Sequence, residues 1–525
     1  MASTVDDGGS RRWSMAGFTS ILFPGAHPGP DVTGPTPPEC LPDLCLDQII
    51  DEVTAAHGGD GLAQFFYLPL HDVSAVEYRH EVFRDLERDQ RRQPVENFID
   101  RMRTVRLRLH HAERVFHPLQ KQGWFLHAVD GYCGAVKTLR DDLGRVAPTS
   151  RGLRDFADYV AGYVDSEEFQ KLSADTQAVT AELRKVRYTV HIQGLRVHVQ
   201  KFDGQPDYSS AITATFERFA TEASKDYHIP LKDFADMDHV EEQILECVAK
   251  LHPQPFALLE RFCSRHHGFI DHAIGRFERE AHFYLSYLAF IGRFAAAGLA
   301  FSYPEVTSEP GVLRATDAFD LALAIKTTGD GTPVVRNDFR LSGPERIFVI
   351  TGPNQGGKTT LARTIGQCAY LGALGCPVPA SRAELSLPDQ IYTHFERRES
   401  LSRPHGKLDD ELVRIHDILA RATEASIIMN ESFSSTTAED ALLINTEVLK
   451  RIIRLGCVAV CVTFLDELAA LGPACVSMVG EVAPDDPTRR TFTFTRRPAD
   501  GLAYAAALAN KYRLNYDTLR QRITR

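Results

Sequence analysis

The sequence predicts a multidomain chain in which an all-α core and lever region precedes an α/β domain organised round a glycine-rich turn. Three observations carry this expectation. Apolar residues recur at helical spacing from Leu41 to about Ala300. The stretch Ile347 to Thr360, IFVITGPNQGGKTT, passes from an apolar run through the turn into residues that begin a helix. Beyond it, apolar runs of strand length alternate with helical patterns, the order expected of a mostly parallel sheet.

The chain has 525 residues, enough for two to four domains and ample core. With 43% hydrophobic and 25% charged residues, the composition is that of a globular protein. Its net charge of -11 excludes a blanket polycation, so any grip on nucleic acid must come from a local basic surface. Ten cysteines stand singly without paired C-x-x-C spacing, and Cys457 and Cys461 fall in an apolar run. Buried free thiols in a reducing, cytoplasmic setting are the expectation, rather than a metal site. No run is apolar enough to span a bilayer, and no membrane partner is expected.

Taken in order, residues 1–39 are rich in Gly, Pro, Ser and Thr, and read as a flexible tail. Arg11-Arg12 ahead of Met15 to Phe23 has the outline of an export signal. Its apolar part is short, carries Thr and Ser, and lacks a small-residue cleavage site, so Phe18 to Phe23 is read instead as a segment that docks on the body. Residues 40–303 form the helical core and lever region. Asp72 to Leu86 places Val73, Val76, Val82, Phe83 and Leu86 near one face with Asp72 or Ser74 as cap, and Val95 to Leu119, Ser150 to Lys185 and Val240 to Ala297 read as long helices.

Val186 to Gln200, VRYTVHIQGLRVHVQ, interrupts this region with period-two alternation on both sides of Gln193-Gly194, the signature of a β-hairpin near 186–200. Its polar face carries Arg187, His191, Arg196 and His198, with Arg184, Lys185 and Lys201 at the base. Arg187, Arg196 and Lys201 are candidates for backbone-tracking DNA contacts; a solvated face is the alternative.

From Pro304 to Leu341, Gly, Pro and Asp rise, and short apolar runs such as Leu321 to Ile325 read as edge strands entering the α/β domain, residues 304–500. The turn that follows fits G-x-x-x-x-G-K-[ST] through Gly352, Gly357, Lys358 and Thr359. The chemistry asks for this spacing, because backbone amides wrap a phosphate chain only where side-chain bulk is small. The expected nucleotide contacts are Gly352, Pro353, Asn354, Gln355, Gly356, Gly357, Lys358, Thr359 and Thr360, with Lys358 reaching the outer phosphates and the Thr359 hydroxyl on magnesium. Leu361 to Leu374 reads as an apolar-faced helix stopped by Gly375, and Ser426 to Met429 as the next strand. A helix from Ala438 to Leu455 and a strand from Val458 to Thr463 follow.

The strand at Ser426 ends in Asn430-Glu431. At such a position the first side chain holds magnesium through water and the second polarises the attacking water, so Asn430 is assigned to the metal and Glu431 to the base. The amide of Asn430 accepts hydrogen bonds but carries no charge, which lowers the expected metal affinity. A solvated carboxylate at a strand end is the alternative for Glu431.

Together these residues resemble the MutS family of DNA mismatch-repair ATPases. The resemblance runs through Asn337-Asp338, Thr351 to Thr360, Gly375-Cys-Pro-Val-Pro-Ala380 and Asp389-Gln-Ile-Tyr392. It continues through Glu411 to Leu419, Asn430-Glu431, Thr436 to Asp440 and Thr463-Phe-Leu-Asp-Glu-Leu468. Tyr67 to Val82 looks like the start of that family's helical core. The resemblance implies a P-loop NTPase of the ABC type that uses ATP and Mg2+, a homodimer or heterodimer with composite sites at the interface, and levers reaching a DNA clamp. Residues 501–525 then read as a C-terminal helical segment.

Three departures alter the expectation. The helical core begins almost at once, leaving no room for mismatch-reading and connector domains, so structured DNA rather than a mispaired base is the expected target. Asn430 stands where the family has a Walker B Asp, and Phe464 where it has a histidine after the strand Thr. Ser400 and Ser402 are stand-ins for the signature Ser that reaches across the dimer, with Gly406 nearer its place, and Thr436 and Asp440 are further trans contacts. Two functional readings stay open: a slow ATPase acting on DNA in repair or recombination, and a nucleotide-gated clamp or adaptor with little or no hydrolysis.

Overall fold

The computed structural model describes residues 18–25, 36–55, 61–194, 196–205, 237–328, 331–397 and 406–499. Ser400, Ser402, most of the expected tail and the expected segment 501–525 lie outside them. The chain divides into two compact units, one made of residues 1–87, 149–153 and 279–525, the other of residues 88–148 and 154–278. Residues 40–87 and 279–303, read from sequence as part of the helical region, therefore group with the α/β elements.

The first unit opens with α1 (Leu46–Thr54) and α2 (Val73–Leu86). Asp72 caps α2, its carboxylate accepting from the Ala75 amide at 3.1 Å. The expected docking of Phe18 to Phe23 is found: the Glu280 carboxylate accepts from the Ser20 hydroxyl and the Ile21 amide, both at 2.8 Å, and Ile21 and Leu22 are buried.

The second unit holds α3 (Asp89–Arg114), α4 (Pro118–Val146), α5 (Arg151–Asp165), α6 (Glu167–Arg184), the hairpin β1 (Tyr188–Gln193) and β2 (Arg196–Lys201), α7 (His239–Leu251) and α8 (Pro253–Arg265). The unit boundaries fall within α5 and within α9 (His272–Gly292). The long helices expected from periodicity are broken. Pro118 and Pro253 sit at first helical positions, where the missing N–H costs nothing and the preceding residue is turned out of the helix. Ser166 splits the stretch from Ser150 to Lys185 because its hydroxyl caps α6, accepting from the Phe169 amide at 3.3 Å.

The hairpin pairs as expected, with His191 opposite His198 and Gln193 opposite Arg196. Pairing also places Lys201 opposite Tyr188, on the face of Val190 and Ile192. Lys201 therefore stands on the opposite face from Arg196. That second face is not buried: Ile192 is 76% exposed.

After α9 the first unit resumes with β3 (Glu305–Thr307), β4 (Leu313–Ala318), α10 (Leu321–Thr328), β5 (Asn337–Leu341), β6 (Ile347–Thr351), α11 (Lys358–Ala373), β7 (Arg382–Ser386), β8 (Ile391–Phe395), α12 (Lys407–Arg421), β9 (Ser426–Asn430), α13 (Ala438–Arg454), β10 (Val458–Val462), β11 (Cys475–Ala483) and β12 (Asp486–Arg496). Leu321 to Ile325 is thus helix and not edge strand. Asp320 starts it by accepting from the Leu323 amide at 2.7 Å, and a short apolar run alone does not separate the two states.

Among the described residues, six strands form one sheet in the order β12-β11-β6-β10-β9-β8, and four form another in the order β3-β7-β4-β5. In the larger sheet β6, β8, β9, β10 and β11 are parallel and β12 is antiparallel. Every residue of β6 and β10 is buried, which explains their unbroken apolar sequences. The carboxyl ends of β6, β9 and β10 consequently emerge side by side, with Ile350, Asn430 and Val462 in register. No helix of the described residues is long and apolar enough to cross a membrane.

Candidate nucleotide-binding site

The site begins where β6 ends. Gly352 has φ +128°, and a Cβ there would lie 2.9 Å from the Gly480 nitrogen, so β11 backbone approaches where a side chain cannot stand. At Gly356 a Cβ would meet the Pro353 carbonyl oxygen at 2.8 Å. Gln355 at φ +58° and Gly357 at φ +92° complete a turn that curls its backbone inward. Gly357 is also the N-cap of α11 and offers no side-chain acceptor. The first intrahelical bond is Leu361 N–H to the Gly357 carbonyl, so the amides of Lys358, Thr359 and Thr360 are first-turn donors with no backbone acceptor among the described residues. A bare concavity edged by such donors, at the positive end of a 16-residue helix, fits a phosphate chain.

Lys358 lies across this turn, with its side chain 5% exposed. Nζ donates to the carbonyls of Gly352 at 3.2 Å and Pro353 at 3.4 Å and to Asn354 Oδ1 at 3.4 Å, and stands 3.9 Å from Glu431 Oε1. Burial lowers its pKa below the ordinary lysine value, Glu431 opposes that shift, and Arg490 adds to it. The Phe464 ring centroid is 4.1 Å from the ammonium.

Thr359 and Asn430 come together: the Thr359 hydroxyl donates to Asn430 Oδ1 at 2.8 Å. An oxygen from the first turn of α11 and one from the end of β9 thereby lie side by side, the donor set expected of a magnesium position, though both are neutral. Glu431 follows in a left-handed conformation, φ +51°, with its amide bonded to the Val462 carbonyl at 2.9 Å. The turn after it is held from two sides. Glu411 accepts from the Phe433 amide at 2.9 Å, and the His394 imidazole meets the Ser432 hydroxyl at 2.8 Å and the Glu411 carbonyl at 3.2 Å. Since a carbonyl can only accept, His394 Nε2 carries the proton and Nδ1 receives the Ser432 hydroxyl. Burial, with Arg414 adding to it, depresses the His394 pKa to about 4, which keeps the ring neutral.

The remaining sequence candidates are dispersed. Thr436 and Asp440 stand at the start of α13, where Asp440 accepts from the Thr437 hydroxyl at 2.9 Å and its amide donates back at 3.2 Å, a capping arrangement. Arg187, Arg196 and Lys201 belong to the other unit.

Four contributors carry no assignment from sequence. Arg490 donates to the Asn354 carbonyl at 3.3 Å, and Asn337 ties β5 to β12 through the Phe492 carbonyl and the Phe494 amide. Phe492, at φ +60° and 47% exposed, sits against Gly357, where a Cβ would touch its ring at 3.4 Å. The pairing of His394 with Ser432 joins residues 38 apart. Alternation of Phe and Thr in RTFTFTR was the available signal for β12; the left-handed residue within it had none.

The family model of MutS domain V matches residues 348–504. Over 195 residues the chain is 28% identical to Endonuclease MutS2 of Thermus thermophilus, covering 36% of this chain and 25% of that protein. It is 33% identical over 157 residues to DNA mismatch repair protein MutS of Erythrobacter litoralis, 30% of this chain and 18% of that one. With DNA mismatch repair protein Msh3 of Mus musculus it shares 23% identity over 338 residues, 61% of this chain and 29% of that one. Residues 348–504 are a domain of the MutS family. The chain's matches span less than a third of those relatives' own lengths. The MutS domain V match covers the glycine turn, Asn430-Glu431 and Phe464, so the two positions expected from sequence to depart from the family pattern lie within the matched span.

Proposed function

We propose that the chain is a MutS-type ATPase that acts on DNA in repair or recombination, with an ABC-type P-loop domain gating a dimer. The observation that carries this reading is the convergence at α11: first-turn amides, the Lys358 ammonium, the Thr359 hydroxyl bonded to Asn430, and Glu431 3.9 Å from Lys358. Magnesium-bound ATP supplies the phosphoryl group to be transferred to water. The backbone N–H groups between Gly352 and Thr360, Pro353 having none, would wrap its phosphates, Lys358 would meet their negative charge, and Thr359 with Asn430 would hold the metal. Glu431 orients water and takes its proton.

Binding closes two copies, identical or not, over composite sites to which Thr436 and Asp440 contribute from the neighbour, and hydrolysis reopens them. The helical region acts as lever, and Arg187 and Arg196 on one hairpin face track the phosphate backbone of structured DNA. Lys358→Ala abolishes ATP binding in equilibrium titration; retained micromolar affinity would overturn the assignment.

A second reading, a nucleotide-gated clamp or adaptor with little hydrolysis, is favoured by the neutral Asn430 and by Phe464, whose ring cannot hydrogen-bond a phosphate. Steady-state phosphate release compared with Glu431→Gln separates the two. Turnover lost in the variant supports the enzyme; equal, background-level release in both supports the clamp.

A further inference from the structure

Phe464 is placed with unusual firmness for a residue that is 53% exposed. It directly follows Thr463, whose amide donates to the Ile350 carbonyl at 3.1 Å and whose hydroxyl accepts from the Leu465 amide at 3.0 Å. The backbone before the ring is therefore tied to the end of β6, the strand that leads into the glycine turn, and the backbone after it is tied to Thr463. Half-exposed, the ring gains little from burial, and its close polar neighbour is the Lys358 ammonium at 4.1 Å from its centroid. Three oxygens of the turn surround the remaining side of that ammonium at 3.2 to 3.4 Å.

A cation over an aromatic face is attracted by the ring quadrupole, and the attraction grows as water is excluded. Lys358 is buried, so it meets that condition. Its ammonium is folded back onto the Gly352 and Pro353 carbonyls, the peptide groups that open the turn. To meet a phosphate at the α11 amides it must leave those carbonyls.

We propose that Phe464 is the positioning residue for Lys358: its ring holds the ammonium in the parked arrangement and thereby competes with the triphosphate, setting the ATP affinity of the site. The competition rests on the nucleotide reading above; the contact itself does not. A leucine at 464 keeps bulk and removes the quadrupole, a tyrosine keeps the ring face, and a tryptophan strengthens it.

The test uses the full chain labelled at lysine Cε with 13C, with the Lys358 resonance assigned by its absence in Lys358→Arg. In nucleotide-free protein the Lys358 Hε signal lies upfield through ring current, keeps that position in Phe464→Tyr and loses it in Phe464→Leu. Equilibrium titration then gives ATP bound roughly two- to thirtyfold more tightly by Phe464→Leu, more weakly by Phe464→Trp, and within about twofold of wild type by Phe464→Tyr. Thermal melting verifies that each variant is folded.

An unshifted Lys358 resonance in the wild type overturns the contact. Weaker ATP binding in Phe464→Leu overturns the competition, since it means that the ring assists the bound state. An upfield resonance in a protein that binds no ATP sinks the nucleotide reading and the competition with it, while leaving the contact standing.

Discussion

Asn430→Asp is the substitution that bears hardest on the site. Asn430 Oδ1 already accepts from the Thr359 hydroxyl at 2.8 Å, so an aspartate can keep the same bond and shape while adding one negative charge. Two unit charges about 4 Å apart interact by about 4 kcal/mol at the effective dielectric of a protein surface. Asn430 is half-buried, and removing a carboxylate from water offsets much of that gain. Hydrogen bonds to a charged acceptor exceed neutral ones by about 1 to 2 kcal/mol net, a more restrained figure. The Mg2+ concentration that half-saturates ATP binding should accordingly fall by about five- to thirtyfold. The assay is titration of ATP into wild type and variant at a series of Mg2+ concentrations, with EDTA as zero point. A folded variant whose Mg2+ dependence matches the wild type would show that residue 430 does not address the metal, and the pairing of Thr359 with Asn430 would lose its functional meaning.

Gly352→Ala forces a Cβ to 2.9 Å from the Gly480 nitrogen in a conformation, φ +128°, that L-residues rarely adopt. A loss of about 1 to 3 kcal/mol is expected in chemical unfolding, and an unchanged midpoint refutes the close approach. His394, with its pKa depressed to about 4 against 6.5 unfolded, gives stability that is present above about pH 6.5 and lost as pH falls toward 4. His394→Gln should therefore remove about 1.4 kcal/mol per pH unit from the acid slope of unfolding free energy, leaving the similar share of His80; an unaltered slope would mean that His394 is not neutral in the fold. Arg187→Glu with Arg196→Glu should flatten the salt dependence of duplex DNA binding by about two units, whereas Lys201→Glu, on the other hairpin face, should change it less. Equal effects of the three positions would argue for loss of net charge instead of a contact face.

What the sequence disclosed followed how tightly chemistry constrains spacing. The run from Ile347 to Thr360 was legible because a phosphate cradle needs small residues at fixed offsets, and β9 and β10 were legible because parallel strands with a buried centre carry apolar runs. Helix breaks were less so. Periodicity continues across Pro118, Ser166 and Pro253, and local chemistry, a missing N–H or a capping hydroxyl, decides the boundary. Leu321 to Ile325 went to a helix because Asp320 supplies a cap, a contribution outside the run itself. Phe492 and the bracket of Glu411 and His394 round Glu431 were invisible for another reason. Each depends on a left-handed backbone at a non-glycine residue or on partners far apart in the chain, and neither leaves a local pattern.

Asn430 and Phe464 are best understood together. With an aspartate at 430, the pocket round Lys358 and Thr359 would hold two carboxylates; with Asn430 it holds Glu431 alone, 3.9 Å from the ammonium. A buried lysine with diminished countercharge is costly, and burial already lowers its pKa. An aromatic ring supplies attraction to a cation without adding a titratable group or a competing ligand for the metal, and Phe464 stands where it can do so at 4.1 Å. A histidine at 464 would instead bring a group that charges near neutral pH beside that same ammonium. The pair Asn430 and Phe464 thus keeps Lys358 charged with fewer carboxylates in the site. Asn430→Asp and Phe464→Leu should then be coupled: the double variant should bind ATP with an affinity that departs from the sum of the two single effects, because both act on one ammonium.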